Sequence, residues 1–340
     1  MRCNLYHRRL SGKYYDMGLK YGRTLRRFGY KPPKLTDERV QFARESEKEV
    51  RRVFPEILEE IQGFADGCGL PYEDLCSFIV NIGIKQPAGC SCFGSVLTTS
   101  SRPIVGRNYD WYYEIQKYTE SYLTMPEGAY WSLGNSDIFV GREDGLNECG
   151  LAVAMASVSP KEFKPGINFA LIVRALLDKC ANVVEAVNFL KKTSYLRSDN
   201  YLLVDKEGEM AVVEASPRKI RVRRPEEGVI VATNHFVHCE MKEEQDVGNM
   251  SPTSLQRYQR IESLLRKAEG KLDLNLARRI LSDHEGLVCS HRDETKLGTI
   301  WSFICWPSKN NFLMATGHPC KKRYKEDERL KRALSKRLTI

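Results

Sequence analysis

From Thr36 onward the apolar residues fall on a helical period. Val40, Ala43, Val50, Val53 and Phe54 recur near every 3.6 positions with charges between them, which predicts an amphipathic helix. Pro55 interrupts that helix and suits the first turn of a second one, carrying Ile57, Leu58, Ile61, Phe64 and Ala65. Gly67-Cys68-Gly69 is the chemistry of its end. Pro71 opens a third helix, Tyr72 to about Val80, running into Asn81. Upstream, Tyr14, Met17, Tyr21 and Leu25 keep a helical spacing that Gly18 and Gly22 weaken. Residues 1–88 therefore read mainly as helix.

The pattern changes at Gly89. Cys92 to Thr98 is a short apolar run, Thr99-Ser100-Ser101-Arg102-Pro103 has turn composition, and Ile104 to Asn108 resumes an extended pattern, so the segment reads as a hairpin. Strand-like runs follow at 137–141 and 150–156, helical ones at 167–179 and 182–192, then four short strands at 200–205, 209–215, 218–223 and 228–233. Helices over 253–267 and 273–282 and strands over 299–306 and 311–316 complete the reading. The mixture is α+β. Layers of helix, sheet, sheet and helix satisfy it, whereas the regular strand–helix alternation of a doubly wound sheet is missing.

Charge changes this picture little. The 340 residues carry a formal net charge of +9, but residues 321–340 hold nine Lys/Arg against three acids and so contribute six of the nine. The excess is a basic C-terminal tail, read as a solvated helix, rather than a basic face for nucleic acid. No stretch approaches the about 18 apolar residues of a membrane span, and the first fifteen residues lack a signal-type apolar core, so a cytoplasmic protein is expected. Eleven cysteines without C-x-x-C spacing favour free thiols in that compartment.

A cysteine nucleophile needs a base or a positive charge beside it. Six histidines exist, and a distant Cys–His pairing with Cys90 is one arrangement open on paper. Another needs no histidine. If the Gly89–Cys90 bond is cut, Cys90 gains an α-amine titrating near about 7.7–8.0, which can serve as its base. Gly89 leaves its carbonyl unhindered for attack by the thiol. His235, His238 and Cys239 form an H-x-x-H-C run, with Cys289-Ser290-His291 as a loose second pair, but the spacing is poor for structural zinc, and no metal or cofactor is expected. Glu143 and Asp144 read as surface charges, with no carboxylate dyad evident. The aromatic stretch 109–131 reads as core with a share in an acyl pocket, Tyr109 and Trp111 being its candidate substrate contacts.

The motifs in chain order resemble those of the N-terminal-nucleophile hydrolases of the penicillin acyltransferase-like family, and more distantly of choloylglycine hydrolase and acid ceramidase-type amidases. They are Glu59 to Gly67 with Leu70-Pro71-Tyr72-Glu73-Asp74 and Asn81, then Gly89-Cys90-Ser91-Cys92 and Gly106-Arg107-Asn108-Tyr109-Asp110-Trp111. Gly145 to Leu151, Thr233-Asn234-His235-Phe236, Ser254 to Tyr258 and Gly317-His318-Pro319-Cys320 follow. Cys92 stands where relatives carry a hydroxyl and reads as an inward strand cysteine. The resemblance implies a four-layer αββα sandwich with a helical propeptide at 1–89, a core at 90–320 and the tail at 321–340. It further implies autocleavage between Gly89 and Cys90, Cys90 as nucleophile and base, and Asn234 as oxyanion donor. Arg107 and Asp110 would flank the thiol, and Arg257 would complete the charge network. The implied partners are an acyl amide or acyl thioester and the enzyme's own cleaved propeptide fragment, with a homo-oligomer left open. An uncleaved Cys–His hydrolase and a catalytically silent binding protein on the same fold are the alternatives.

Overall fold

A computed structural model describes residues 6–83, 89–100, 102–292 and 294–337. The chain opens with a strand, β1 (Tyr6–Gly12), followed by α1 (Tyr14–Arg26), α2 (Asp37–Val53), α3 (Pro55–Cys68) and α4 (Tyr72–Val80). The helical reading of this region thus holds except at β1, whose polar sequence gives no strand signal and which pairs in parallel with a strand more than a hundred residues on. Pro55 sits in the first turn of α3 and Gly69 ends it in the left-handed conformation, as the sequence suggests, while Thr36 caps α2 by accepting from the Arg39 N–H. Gly18 of α1 lies where a Cβ would strike the Glu60 carbonyl and the Phe64 nitrogen of α3. The glycines that weaken α1 as an isolated helix are what allow its backbone to touch α3.

The remainder supplies β2 (Gly89–Ser95), β3 (Ile104–Tyr112), β4 (Glu120–Pro126), β5 (Ser132–Ser136), β6 (Asp144–Asn147) and β7 (Ala152–Ser157). Helices α5 (Phe169–Lys179) and α6 (Val183–Lys191) follow, then β8 (Asp199–Val204), β9 (Met210–Ala215), β10 (Ile220–Arg223) and β11 (Val229–Ala232). Helices α7 (Ser254–Lys267) and α8 (Leu274–Leu281) precede β12 (His291–Arg292), β13 (Leu297–Trp306), β14 (Asn311–Thr316), β15 (Lys325–Glu326) and α9 (Arg329–Arg337). The run 137–141 is not a strand: Ser136 Oγ accepts from the Ile138 N–H and donates to its carbonyl, turning the chain.

The strands form two sheets. One has the order β1-β4-β5-β6-β7-β8-β9-β10; the other runs β11-β2-β3-β13-β14-β15, with β12 on β13. Helices α1 to α6 pack on the outer face of the first sheet through a core that includes Phe64, Met155 and Leu176. A second core, with Cys90, Ala154 and Trp301, fills the space between the sheets. A third joins the outer face of the second sheet to α7 and α8 through Phe93, Ile261 and Ile280. The result is an αββα sandwich. The basic segment after residue 320 is helical over α9, but it is sewn to the first sheet: Arg329 donates to Arg8 O at 2.8 Å and Ser121 Oγ at 2.6 Å, and Leu330 is buried between the sheets.

Candidate active site

Strands β2 and β3 pair antiparallel, with Gly89 opposite Asp110, Cys90 opposite Tyr109 and Cys92 opposite Arg107. Alternation along β2 sends Cys90 and Cys92 into the core between the sheets and Phe93 toward α7 and α8. Cys92 is thus the inward strand cysteine its sequence position suggests, its sulfur 3.6 Å from Met155 O. The same alternation along β3 splits the charged residues. Arg107 enters the space between the sheets, where its Nη2 stands 3.6 Å from Cys90 Sγ. Asp110 lies on the opposite face, beside Gly89, where a Cβ added to that glycine would fall 2.9 Å from Asp110 Oδ2.

Arg107 does not pair with Asp110. It is fully buried, and its carboxylate partner is Asp144, which also accepts from Asn135 Nδ2 and Trp301 Nε1, each at 2.8 Å. This corrects the reading of Glu143 and Asp144 as surface charges: both are fully buried. Their burial follows from β6, an inner strand of the first sheet, facing a cation contributed by the second. Glu143 sits near Asp137, so a carboxylate pair does exist here. Burial holds Glu143 well above the usual range and pushes Asp137 up to about 6. Neither this cluster nor Trp301 carries a local motif, because Arg107, Asn135, Asp144 and Trp301 come from four different strands.

On the other face, Arg257 of α7 is fully buried and gathers the backbone around the cysteine. Its Nη1 donates to Cys90 O and, at 3.0 Å, to Ser91 Oγ. Its Nη2 donates to Asn234 Oδ1 at 2.7 Å. Asn234 Oδ1 also accepts the Cys90 N–H at 2.8 Å, while Asn234 Nδ2 donates one hydrogen to Ser157 O at 2.8 Å. Asp110 accepts from Thr299 Oγ1 at 2.6 Å. The five polar candidates named from the sequence, Cys90, Arg107, Asp110, Asn234 and Arg257, thus converge on one strand end. Ser91, which the cysteine motif contains, joins them, and so do Thr299, Asp144 and Trp301, which have no motif of their own.

In the uncut chain burial pushes the Cys90 thiol up to about 11, against the opposing pull of Arg107, so it is neutral at pH 7. Burial likewise raises Asp110 to about 6 although Arg257 and Thr299 favour its charged form. Among the described residues no histidine is hydrogen-bonded to the thiol. His235 Nδ1 contacts Thr233 Oγ1 and Ser254 Oγ, and its ring is pulled down to about 4 by burial. His235, His238 and Cys239 do not assemble as metal ligands, His238 Nδ1 instead accepting the Glu240 N–H.

The two aromatic candidates part company. Trp111 lines a cavity of about 350 Å³ with Leu35, Phe78, Asp137, Ile138 and Phe139, so the N-terminal helices build one of its walls. Tyr109 is packed behind it, stacked on Trp301 at 3.9 Å between ring centroids, with its hydroxyl donating to Asp137. A larger cleft of about 1000 Å³, bounded by Tyr14, Trp131 and Arg337, includes none of these site residues.

The model of the family described as acyl-coenzyme A:6-aminopenicillanic acid acyl-transferase matches residues 97–321, a span that begins after Cys90 and takes in Arg107, Asp110, Asn234 and Arg257. No curated protein matches the chain. Among solved structures it is similar to a variant of conjugated bile acid hydrolase from Clostridium perfringens, at 15% identity over 69% of this chain and 96% of that one, with a TM-score of 0.50. It is also similar to penicillin V acylase from Agrobacterium tumefaciens (19% identity, 67% and 83% covered, TM-score 0.47). The Caenorhabditis elegans ortholog of N-acylethanolamine-hydrolyzing acid amidase is a third (16%, 64% and 93%, TM-score 0.48).

Proposed function

As this chain belongs to the acyl-coenzyme A:6-aminopenicillanic acid acyl-transferase family, and so is an acyltransferase or a hydrolase of amide bonds, we propose that it cuts itself between Gly89 and Cys90 and works through an acyl-Cys90 thioester. The observation that carries this reading is the double hold on Cys90: Asn234 Oδ1 at 2.8 Å from its nitrogen and Arg107 Nη2 at 3.6 Å from its sulfur.

In the first step the Cys90 thiol adds to the Gly89 carbonyl carbon. The Gly89–Cys90 C–N bond breaks as the thiol proton passes to the nitrogen, leaving a thioester. Water then releases Gly89 as a carboxylate and regenerates the thiol beside a free α-amine. That amine is the general base of the mature enzyme. Asn234 Oδ1, which accepts the amide N–H of the uncut chain, then accepts from the amine, and Asp110 takes an ammonium hydrogen. The thiolate forms against Arg107, whose charge opposes the burial that otherwise keeps the thiol neutral. The substrate is an acyl amide or acyl thioester with an apolar acyl part seated against Trp111, Ile138 and Phe139. The second hydrogen of Asn234 Nδ2 is the oxyanion donor. Fragment 1–89 stays bound after the cut, because Glu60 pairs with Arg174, Tyr14 with Asp178 and Ile79 O with Asn168 deep in the fold.

Intact-mass measurement of the purified protein tests this. The expected result is two fragments of 89 and 251 residues, with Cys90→Ala remaining whole and inactive. Incubation with amide and thioester substrates should add acyl mass to the fragment that begins at Cys90. An active enzyme whose chain stays whole would sink the proposal.

A further inference from the structure

Away from Cys90, three separate segments bring His284, Cys289, His291 and Cys320 together so that one ligand atom of each lies within 4.8 Å of all the others. His284 and Cys289 come from the loop after α8, His291 from β12, and Cys320 from the segment after β14. His291 Nε2 lies between the two thiols, 3.4 Å from Cys289 Sγ and 3.2 Å from Cys320 Sγ. A tetrahedral zinc site with Zn–S near 2.3 Å and Zn–N near 2.05 Å has S···N edges of about 3.6 Å. The two measured edges are close to that value. The longer ones close with small rotations of His284 and Cys320, both exposed.

We propose that these four residues bind one zinc ion in a closed Cys2His2 site. The ligand set is soft and tetrahedral, which selects zinc over calcium or magnesium. Four protein ligands leave no open position, so the ion is structural rather than hydrolytic. Binding takes two protons off the thiols and requires neutral imidazoles.

The surroundings are arranged to hold the ligands. His318 stacks on His291 at 3.8 Å between centroids, fixing the plane of the imidazole. Asn108 Nδ2 donates to Leu281 O and Val288 O, each at 2.8 Å, and Arg260 grips Asp283. The site also reaches the catalytic strand. Ser290, between two of the ligands, donates its N–H to Thr299 Oγ1 at 3.0 Å, and that hydroxyl donates to Asp110. The zinc would therefore staple the loop that supports Asp110. Zinc binding here does not depend on what Cys90 does.

The test uses the full-length protein, purified with reductant. About one zinc per chain is expected by elemental analysis. After chelation, added cobalt(II) should give thiolate charge-transfer absorption and the intense visible bands of a tetrahedral site. His284→Ala and Cys320→Ser, both at exposed positions, should each weaken zinc binding by at least about tenfold, while Cys239→Ser leaves it unchanged. The proposal is overturned if the reduced protein takes up neither metal, or if the cobalt bands survive unchanged in both ligand variants. A Cys289–Cys320 disulfide whose reduction yields no metal binding overturns it as well.

Discussion

Arg107 and Asp144 form an ion pair in which both side chains are fully buried, and the guanidinium edge not turned to Asp144 faces the sulfur of Cys90. One strand of each sheet contributes a partner, so the charge beside the thiol is held by a contact that spans the inter-sheet core. Trp301 donates to the carboxylate oxygen that faces Arg107, and Asn135 donates to the other.

Asp144→Asn should therefore be severe. It leaves Arg107 buried with an uncompensated charge, a change that typically costs about 3–5 kcal/mol. Urea unfolding of the uncut Cys90→Ala protein, with and without the second substitution, measures it. A loss below about 1 kcal/mol, the range of exposed pairs, would mean that the pair is not closed to water as described.

Gly89→Ala tests the pairing of Gly89 with Asp110. The new methyl carbon would lie 2.8 Å from Asp110 Cβ and 2.9 Å from its Oδ2, so the strand or the carboxylate has to move. Overpacking of this kind typically costs about 1–3 kcal/mol. Cleavage should slow at least tenfold, on the order of one such increment, when followed by gel or mass from the moment of refolding. Unchanged cleavage kinetics would show that the carbonyl of residue 89 tolerates displacement and that Asp110 does not position it.

Much of this was legible in the chain, and the omissions share a physical cause. Helices α2 and α3 announce themselves through period and end signals, and α4 and α7 through period, because those signals are local. Cys90, Arg107, Asp110, Asn234 and Arg257 are legible through ordered motifs. Asp144 reads as a surface charge because its three partners are Arg107, Asn135 and Trp301, and pairing across sheets leaves no trace in spacing. β1 is invisible for a similar reason: a polar edge strand is defined by its partner, Glu120–Pro126, rather than by its own alternation. The Cys2His2 cluster shows the same limit, since its fourth member, Cys320, lies 29 residues beyond His291.

Asn234 offers a cleaner separation of roles, since its two side-chain atoms do different things. Oδ1 receives Cys90 N–H and Arg257, whereas Nδ2 carries the hydrogen proposed for the oxyanion. Asn234→Asp keeps an acceptor and removes the donor, so self-cleavage should persist while kcat falls by about 10²–10³ with KM little changed. Asn234→Ala removes both and should impair cleavage as well. Equal effects of the two variants on every step would remove Asn234 from the oxyanion role.

Asp110 predicts a specific pH dependence. Burial raises its folded pKa from the ordinary 3.8 to about 6, despite Arg257 and Thr299. The folded state therefore binds the proton more tightly than the unfolded state, and stability falls as pH rises through the window between those values. Below about pH 4 both states are protonated and nothing is lost; above about pH 6 both are ionised and the penalty, up to about 3 kcal/mol for a two-unit shift, is complete. Asp110→Asn mimics the neutral acid. In the uncut Cys90→Ala background it should match the aspartate near pH 4 and exceed it near pH 7. Catalysis should show the opposite sign, because the carboxylate is the form proposed to accept the ammonium hydrogen of Cys90. Turnover of the mature enzyme should decline as pH falls through the range in which Asp110 takes up its proton, a range that the new α-ammonium shifts below that of the uncut chain, and Asp110→Asn should be slow on both sides of that limb. Urea titrations across the pH range and a kcat profile measure the two halves. An advantage of the asparagine variant that stays flat or shrinks as pH rises would contradict a buried, proton-holding Asp110.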